Sequence, residues 1–406
     1  MSAYLNFALK RLAKRKSNYM ILLFCMGIVS VLFVMNLRSQ NTLSETLTSQ
    51  IAIFEEDNEK ITKVMETLDP ASEEYQLYQD HTNNNDLNVI EYQKAIDLFE
   101  AQEWTKFYAQ YGKLLDEQIE IMNNTLQTSQ QEGESDTISD TILAGMTKQK
   151  QYIEYLAENH LEYENQDFPI FGFTFTISLV QFFLPILMIA KCIYVITQLY
   201  TFDDDKNISI GNLFPINQFK LLVLKLALGI MISLGIVFVL VAFSFLLSSI
   251  VTMNTGLNYP VITERLNDIL QVIPVQTLFM QWGALIVLFV IHMNIFTYLI
   301  SRFVREEVSL LLSLLCFIIG LAYLPNFIGL LQPIAQFLPT TYLHFIDILN
   351  GALANKWNNM SLSFNTGTIA LTIWSVLEFG CLLFLQKKDS SLNRSMAAFK
   401  KCYTKK

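Results

Sequence analysis

Few residues in this chain have the types and spacings that perform covalent chemistry. The only Gly-Lys pair is Gly112-Lys113, and Phe107 stands where a GxxxxGK[ST] phosphate loop needs its first glycine, so ATP hydrolysis by that route is excluded. His81, His160, His292 and His344 are scattered singly, at no zinc spacing, and no Ser/His/Asp, HExxH or paired-carboxylate arrangement accompanies them. No catalytic residue and no metal ligand is assigned. What remains are ionisable and polar residues inside apolar runs. Glu378 lies near the middle of one, where a charge costs about 2.5–3.5 kcal/mol on insertion scales. It either faces a polar translocation path or pairs with a neighbouring helix. His292 and Asn294 are candidates for interhelical hydrogen bonds, a commoner use than ligand contact. Lys191, two turns from the end of its run, is expected to snorkel to the headgroups.

A second group is polar and lies between apolar runs. Segment 200–219 carries Asp203, Asp204 and Asp205, then Gly211, Leu213, Pro215, Ile216, Phe219 and Lys220. It is polar first and amphipathic later, with Pro215 stiffening the approach to a helix that starts near Asn217. A short helix of this kind, lying on a membrane surface, suits the docking of a partner. Farther along, Pro325, Pro333 and Pro339 cut the stretch after Tyr323 into apolar pieces of about seven residues. Pieces that short do not span, so re-entrant or interfacial half-helices are expected.

The elements that must position these residues follow from composition. The chain of 406 residues is 52% hydrophobic and 16% charged, well below the roughly 25% charged of soluble domains. The charge is segregated: residues 38–169 hold 27 Asp/Glu and 8 Lys/Arg, a net of −19, while the remainder is apolar and basic. Cys25, Cys192, Cys316 and Cys381 lie in apolar runs and Cys402 in the basic tail, so no disulfide can hold the acidic segment. Six runs reach spanning length: Tyr19–Leu37, Phe171–Leu199, Leu221–Val251, Val272–Ser301, Val308–Leu331 and Gly367–Gln386. No small-x-small cleavage site follows the first, which reads as an uncleaved anchor.

Orientation follows from Lys/Arg bias. Residues 1–18 carry five basic residues and no acid, the tail after Gln386 carries seven and one Asp, and Arg302 and Arg305 sit between spans four and five. All three fall on one side, the cytoplasm, and the acidic insert falls outside with 252–271 and 332–366. Arg302, Arg305, Glu306 and Glu307 are expected to pair with one another at the surface. Ser2–Arg15 reads as a basic amphipathic helix in the inner headgroup layer. The expected organisation is therefore an interfacial helix (1–18), span one (19–37), an extracellular acidic helical domain (38–170), spans two to six with the cytoplasmic segment 200–219 (171–386), and a basic tail (387–406). The fold class is an all-α integral membrane protein of six transmembrane helices, with an extracellular helical bundle inserted between spans one and two.

That bundle is expected to hold three or four amphipathic helices, broken at Asp69-Pro70, at Asn83-Asn84-Asn85 and across Gln131–Asp136. Its aromatics, among them Tyr92, Trp104, Tyr108, Tyr111, Tyr152 and Tyr163, could present a binding surface. The plainer reading is that they complete a small core.

Segment 200–219 resembles the loop between the second and third spans of ABC-2 type permease subunits. There, acidic residues precede a glycine, a few apolar residues, a Pro-Ile pair and a lysine, matched here by Asp203–Asp205, Gly211, Leu213, Pro215, Ile216, Lys220 and Lys225. Leu338-Pro339-Thr340-Thr341-Tyr342-Leu343 is similar to the family's segment outside the last span. The resemblance covers the membrane part, about two thirds of the chain, and its motifs are soft beside a Walker loop. It implies that Ile208–Phe219 forms a coupling helix receiving force from a separate ATPase, and that Pro339 and Tyr342 shape an outer gate. It also implies two ATPase copies using ATP and Mg, a second permease copy or a related permease, a bacterial cytoplasmic membrane with both termini inside, and no cofactor or nucleic acid bound by this chain. Compact members lack the large insert, although a subset of Gram-positive permeases carries one. The exported substrate would be a peptide, lipid or drug-like amphiphile. The alternative is a mechanotransmitting or signalling membrane protein moved by an ATPase without transport. A receptor that needs no ATPase leaves 200–219 unexplained.

Overall fold

A computed structural model describes residues 2–131, 137–201, 217–263 and 271–403. Among them, six helical runs are long and apolar enough to cross a membrane: Lys16–Met65, Leu184–Thr201, Gln218–Thr252, Val275–Ser301, Glu307–Asn326 and Phe364–Lys387. The chain is a multi-pass, predominantly helical membrane protein. Helix α1 (Ser2–Lys14) is short and basic, and α2 (Lys16–Arg38) is the first span. A 3-10 turn, Ser39–Asn41, then joins α2 to α3 (Thr42–Met65) without a break in the helical run. Helices α4 (Glu73–Glu100), α5 (Trp104–Gln131) and α6 (Thr137–Glu158) complete a bundle with α3. Three helices, α7 (Gly172–Phe182), α8 (Leu184–Thr201) and α9 (Gln218–Thr252), return through the membrane part.

Strands β1 (Pro260–Thr263) and β2 (Gln271–Pro274) pair antiparallel, Val261 opposite Ile273. After them come α10 (Val275–Ser301), α11 (Glu307–Tyr323), α12 (Phe345–Leu349), α13 (Ala352–Lys356) and α14 (Phe364–Tyr403).

Several expectations are corrected. The chain is predominantly helical, as expected, and the departure is local, one two-stranded sheet. Val272 is apolar and reads as the start of a span, but Pro274 has no N–H to give a helix, and the β-branched residues before it pair as a strand. Span two is two helices, because Pro185 cannot donate to the preceding turn and Phe183 turns between them. Span five stops at Tyr323, where Pro325 opens a 3-10 turn, and the short non-spanning pieces expected after it are 3-10 helices, Leu324–Asn326, Gly329–Phe337 and Pro339–Leu343. The last helix continues past Gln386 to Tyr403. Asp69-Pro70 does break the chain, and Ser72 caps α4 by accepting from the Tyr75 N–H at 3.1 Å. Asn83-Asn84-Asn85 does not break it. Asn85 is buried inside α4 and its amide donates to Asp57 and Asn58 of α3, both at 2.9 Å.

Two cores result. One fills the membrane part around Met188, Ile193, Leu285, Phe289, Leu314 and Leu371, with outward faces such as Met20, Phe24, Phe238 and Phe384 left for lipid. In lipid, close packing and interhelical hydrogen bonds hold such helices together, not removal of apolar surface from water. The other fills the bundle, where Leu47, Ile96, Phe107, Leu115, Ile153 and Leu156 pack with Tyr92, Tyr108, Tyr111 and Tyr152. There each buried large side chain contributes about 1.5–3 kcal/mol. These tyrosines complete the core.

Candidate functional site

The membrane helices have two ends. At the end that carries α1, three chain segments are tied together. The α1–α2 joint contacts α8 through the Tyr194 hydroxyl and Ser17 Oγ at 2.9 Å, and through Asn18 Nδ2 donating to Gln198 Oε1 at 3.3 Å. It contacts α11 through Arg15, whose guanidinium meets Glu307 Oε1 at 2.7 Å. Glu307 therefore pairs with the first helix and not with its neighbours in the turn. Arg302 lies over the Tyr298 ring at 5.3 Å, and Glu306 accepts from Ser309 at 2.5 Å. Lys191 does not snorkel: it is 3% exposed, and its ammonium donates to the Asn18 carbonyl at 2.7 Å.

This is the end from which α8 leaves and at which α9 begins. Asp203, Asp204, Asp205, Gly211, Leu213, Pro215 and Ile216 lie outside the described residues. Phe219 and Lys220 form the first turn of α9, with Phe219 exposed and its N–H capped by Asn217 Oδ1 at 3.0 Å.

A few turns in from that same end, the three polar candidates divide into two groups. Asn294 Oδ1 accepts from the Tyr200 hydroxyl of α8 at 3.0 Å, while its Nδ2 donates to Ser233 Oγ of α9 at 3.2 Å and to the Val290 carbonyl at 2.8 Å. Gly229 makes room for this: a Cβ there would stand 2.2 Å from the Tyr200 oxygen and 2.5 Å from Asn294 Oδ1. His292 faces the other way, toward α14, where its Nδ1 lies 3.1 Å from Glu378 Oε2, both side chains buried. The two atoms are close but not aligned as a hydrogen bond. Asn294 thus joins α8, α9 and α10, and Glu378 has a helix partner.

At the opposite end, Pro339 starts the turn Pro339–Leu343 and Tyr342 is fully buried, its hydroxyl donating to the Gln336 carbonyl at 2.8 Å. Its ring lies against Gly367, where a Cβ would come within 2.7 Å of it.

The reading from residue types missed the connection between bundle and membrane helices, the strap 159–171. Its carbonyls accept from three tyrosines, of α5, of α6 and of the loop before β1: Tyr108 to Leu161, Tyr152 to Glu164 and Tyr259 to Glu162, each at 2.9 Å. The α2–α3 joint holds it too, with Asn36 Nδ2 on the Pro169 carbonyl at 2.8 Å and Gln40 Nε2 on the Phe168 carbonyl at 2.5 Å. Glu164, 1% exposed, reaches from the middle of the strap to the residues that lead into α7. Its Oε1 accepts from the N–H groups of Ile170 at 2.6 Å and Phe171 at 2.7 Å, and from Thr174 Oγ1 at 2.7 Å. Burial nevertheless outweighs these donors and pushes its carboxyl up to about 7. An acid before an apolar run was the only signal available.

Among the described residues no three His, Cys, Asp or Glu side chains gather as metal ligands. The polar contacts hold helices to one another and the strap to the bundle. Comparison with protein-family models, curated proteins and solved structures finds no match to the chain.

Proposed function

We propose that the chain is the membrane-spanning permease subunit of an ATP-driven exporter of the ABC-2 type. It sits in a bacterial cytoplasmic membrane with both termini inside and the α3–α6 bundle outside. Two copies of a separate ATPase use ATP and Mg, and a second permease copy, or a related permease, completes the pathway. The chain itself hydrolyses nothing, and its cargo is a peptide, lipid or drug-like amphiphile.

One observation carries this reading. The segments that Lys/Arg bias puts in the cytoplasm converge at one end of the helices: the α1–α2 joint, the ends of α8 and α9 that flank 202–216, and the α10–α11 turn. An ATPase docked on the segment resembling the coupling loop would find α2, α8 and α11 already tied together beside it. Affinity purification in mild detergent should recover an ATP-binding protein, and charged residues in place of Pro215 and Ile216 should abolish its recovery. If folded protein repeatedly comes out with no ATPase, the reading is wrong.

The mechanotransmission reading has one observation in its favour, the unbroken run Lys16–Met65, which joins span one to the bundle. Deleting the bundle distinguishes the two. An exporter keeps its ATPase partner and moves cargo at a measurable rate, whereas a transmitter keeps the partner and loses all output.

A further inference from the structure

The bundle closes on three seams and not on the fourth. Helix α3 packs on α4, α4 on α5 and α5 on α6, while α3 and α6 face each other across a cavity of about 580 Å³. Thr46 and Gln50 of α3 line one wall, and Gly145 and Gln149 of α6 line the other. The floor is set in advance by hydrogen bonds: Gln118 Nε2 donates to the Tyr92 hydroxyl at 2.5 Å and Gln149 Nε2 to the Tyr111 hydroxyl at 2.6 Å. A second cavity of about 360 Å³ adjoins it, and the two share Lys148, Tyr152, Gln166 and Asp167 in their linings. The second chamber reaches the start of the membrane helices, with Ile177, Phe182, Val261, Ile262 and Ile346 on one part of its wall and Glu164, Thr174, Ser178, Gln181 and Asn350 on the rest.

We propose that this two-chamber cleft binds a single-chain amphiphile with a zwitterionic head. The head occupies the hydroxyl- and amide-lined chamber between α3 and α6, and the chain lies along the apolar wall toward the membrane. Size fits, since ligand cavities typically run about 300–1,000 Å³. Charge selects the head. The net of −19 on residues 38–169 repels an anion from a distance. Lys148 and Asp167 line both chambers and put one charge of each sign at the waist, matching a head that carries both signs. Gly145 lies at the exposed edge of the chamber, where a Cβ would meet nothing within 4 Å, although a helix-interior glycine is otherwise unfavourable. The site is independent of the transport reading, because binding here needs no ATPase.

The test uses the purified full chain in nanodiscs, without ATPase, and a diazirine-bearing lysophosphatidylcholine as probe. Labelled peptides should map to 42–50, 145–153 and 177–182, and lysophosphatidylglycerol of the same chain length should label them several-fold less. Gly145→Leu sets a bulky side chain at the edge of the chamber, where a Cβ meets nothing, and raises helix propensity. It should cut labelling at least five-fold while leaving Tm unchanged or higher, and Leu77→Ala, on an exposed face outside the cleft, should change nothing. Labelling confined to lipid-facing positions such as Met231 and Phe238 overturns the proposal. So does equal labelling of Gly145→Leu, equal or stronger labelling by the anionic probe, or a matching loss in Leu77→Ala.

Discussion

At the scale of single residues, the consequential groups are those held where their chemistry is disfavoured. Glu164 is an acid whose proton is bound more tightly in the folded chain than in the unfolded one, because burial penalises the carboxylate. The folded state therefore takes up protons between about pH 4.5 and 7, and linkage makes stability fall as pH rises through that window and level off above it. The slope corresponds to on the order of 1–3 kcal/mol over the window. Glu164→Gln keeps a carbonyl oxygen where Oε1 accepts its three bonds, so thermal melts of that variant should lose this part of the pH dependence. A variant with the full wild-type slope assigns the titration to another group.

Gly229 makes the opposite case, a residue defined by what it leaves out. Gly229→Ala places a methyl against Tyr200 and Asn294 and should destabilise by about 1–3 kcal/mol. An unfolding assay in detergent checks this, and Tyr200→Phe, which loses the same hydrogen bond without the clash, should cost about 1 kcal/mol. Glu378, His292 and Asn294 were all legible as polar residues in apolar runs. Their partners were not: His292 meets Glu378 across 86 positions and Asn294 meets Tyr200 across 94, and no periodicity within one helix encodes which faces will meet.

At the scale of elements, the apolar runs were legible because each is long and nearly free of charge. Interruptions by proline were visible too, but their outcome was not. Pro185 sits inside a run that composition reads as one span, and Pro274 turns an apolar start into a strand. Asn85 shows the converse, a residue with turn chemistry kept in a helix because α3 offers its amide two acceptors.

The α2–α3 joint is the element whose rigidity is most directly testable. Spin labels at positions 31 and 53, both exposed, should give a narrow distance distribution centred at roughly 33 Å, from 1.5 Å of rise per residue. Glycines at 39 and 40 cost about 1 kcal/mol each in helix propensity and remove the Gln40 contact with the strap. The distribution should then broaden. If it stays narrow, the strap contacts and not helical continuity hold the joint.

At the scale of the whole molecule, the arrangement places the charge bias at opposite ends. Cysteines at Leu77 on α4 and Phe303 in the α10–α11 turn, both well exposed, report on those ends in a cysteine-free background. An impermeant maleimide should label position 77 in intact cells and position 303 only after permeabilisation; the reverse pattern inverts the proposed orientation. The Arg15–Glu307 pair connects first helix to fifth span, but at one third exposure each partner contributes little, about 0–1 kcal/mol. Ala at either position should change melting by no more than that.

The unbroken run from Lys16 to Met65 also sets a length. Fifty residues of helix extend roughly 75 Å, more than twice the hydrocarbon thickness of a bilayer. A rod of that length works as a lever: a tilt of about 5° at its membrane end carries the far tip through roughly 6 Å. One wall of the α3–α6 cleft belongs to that lever, and the other reaches the membrane through the strap. Were span one and α3 to move as one body, a change of angle in the membrane would be enlarged into a change of width in the cleft.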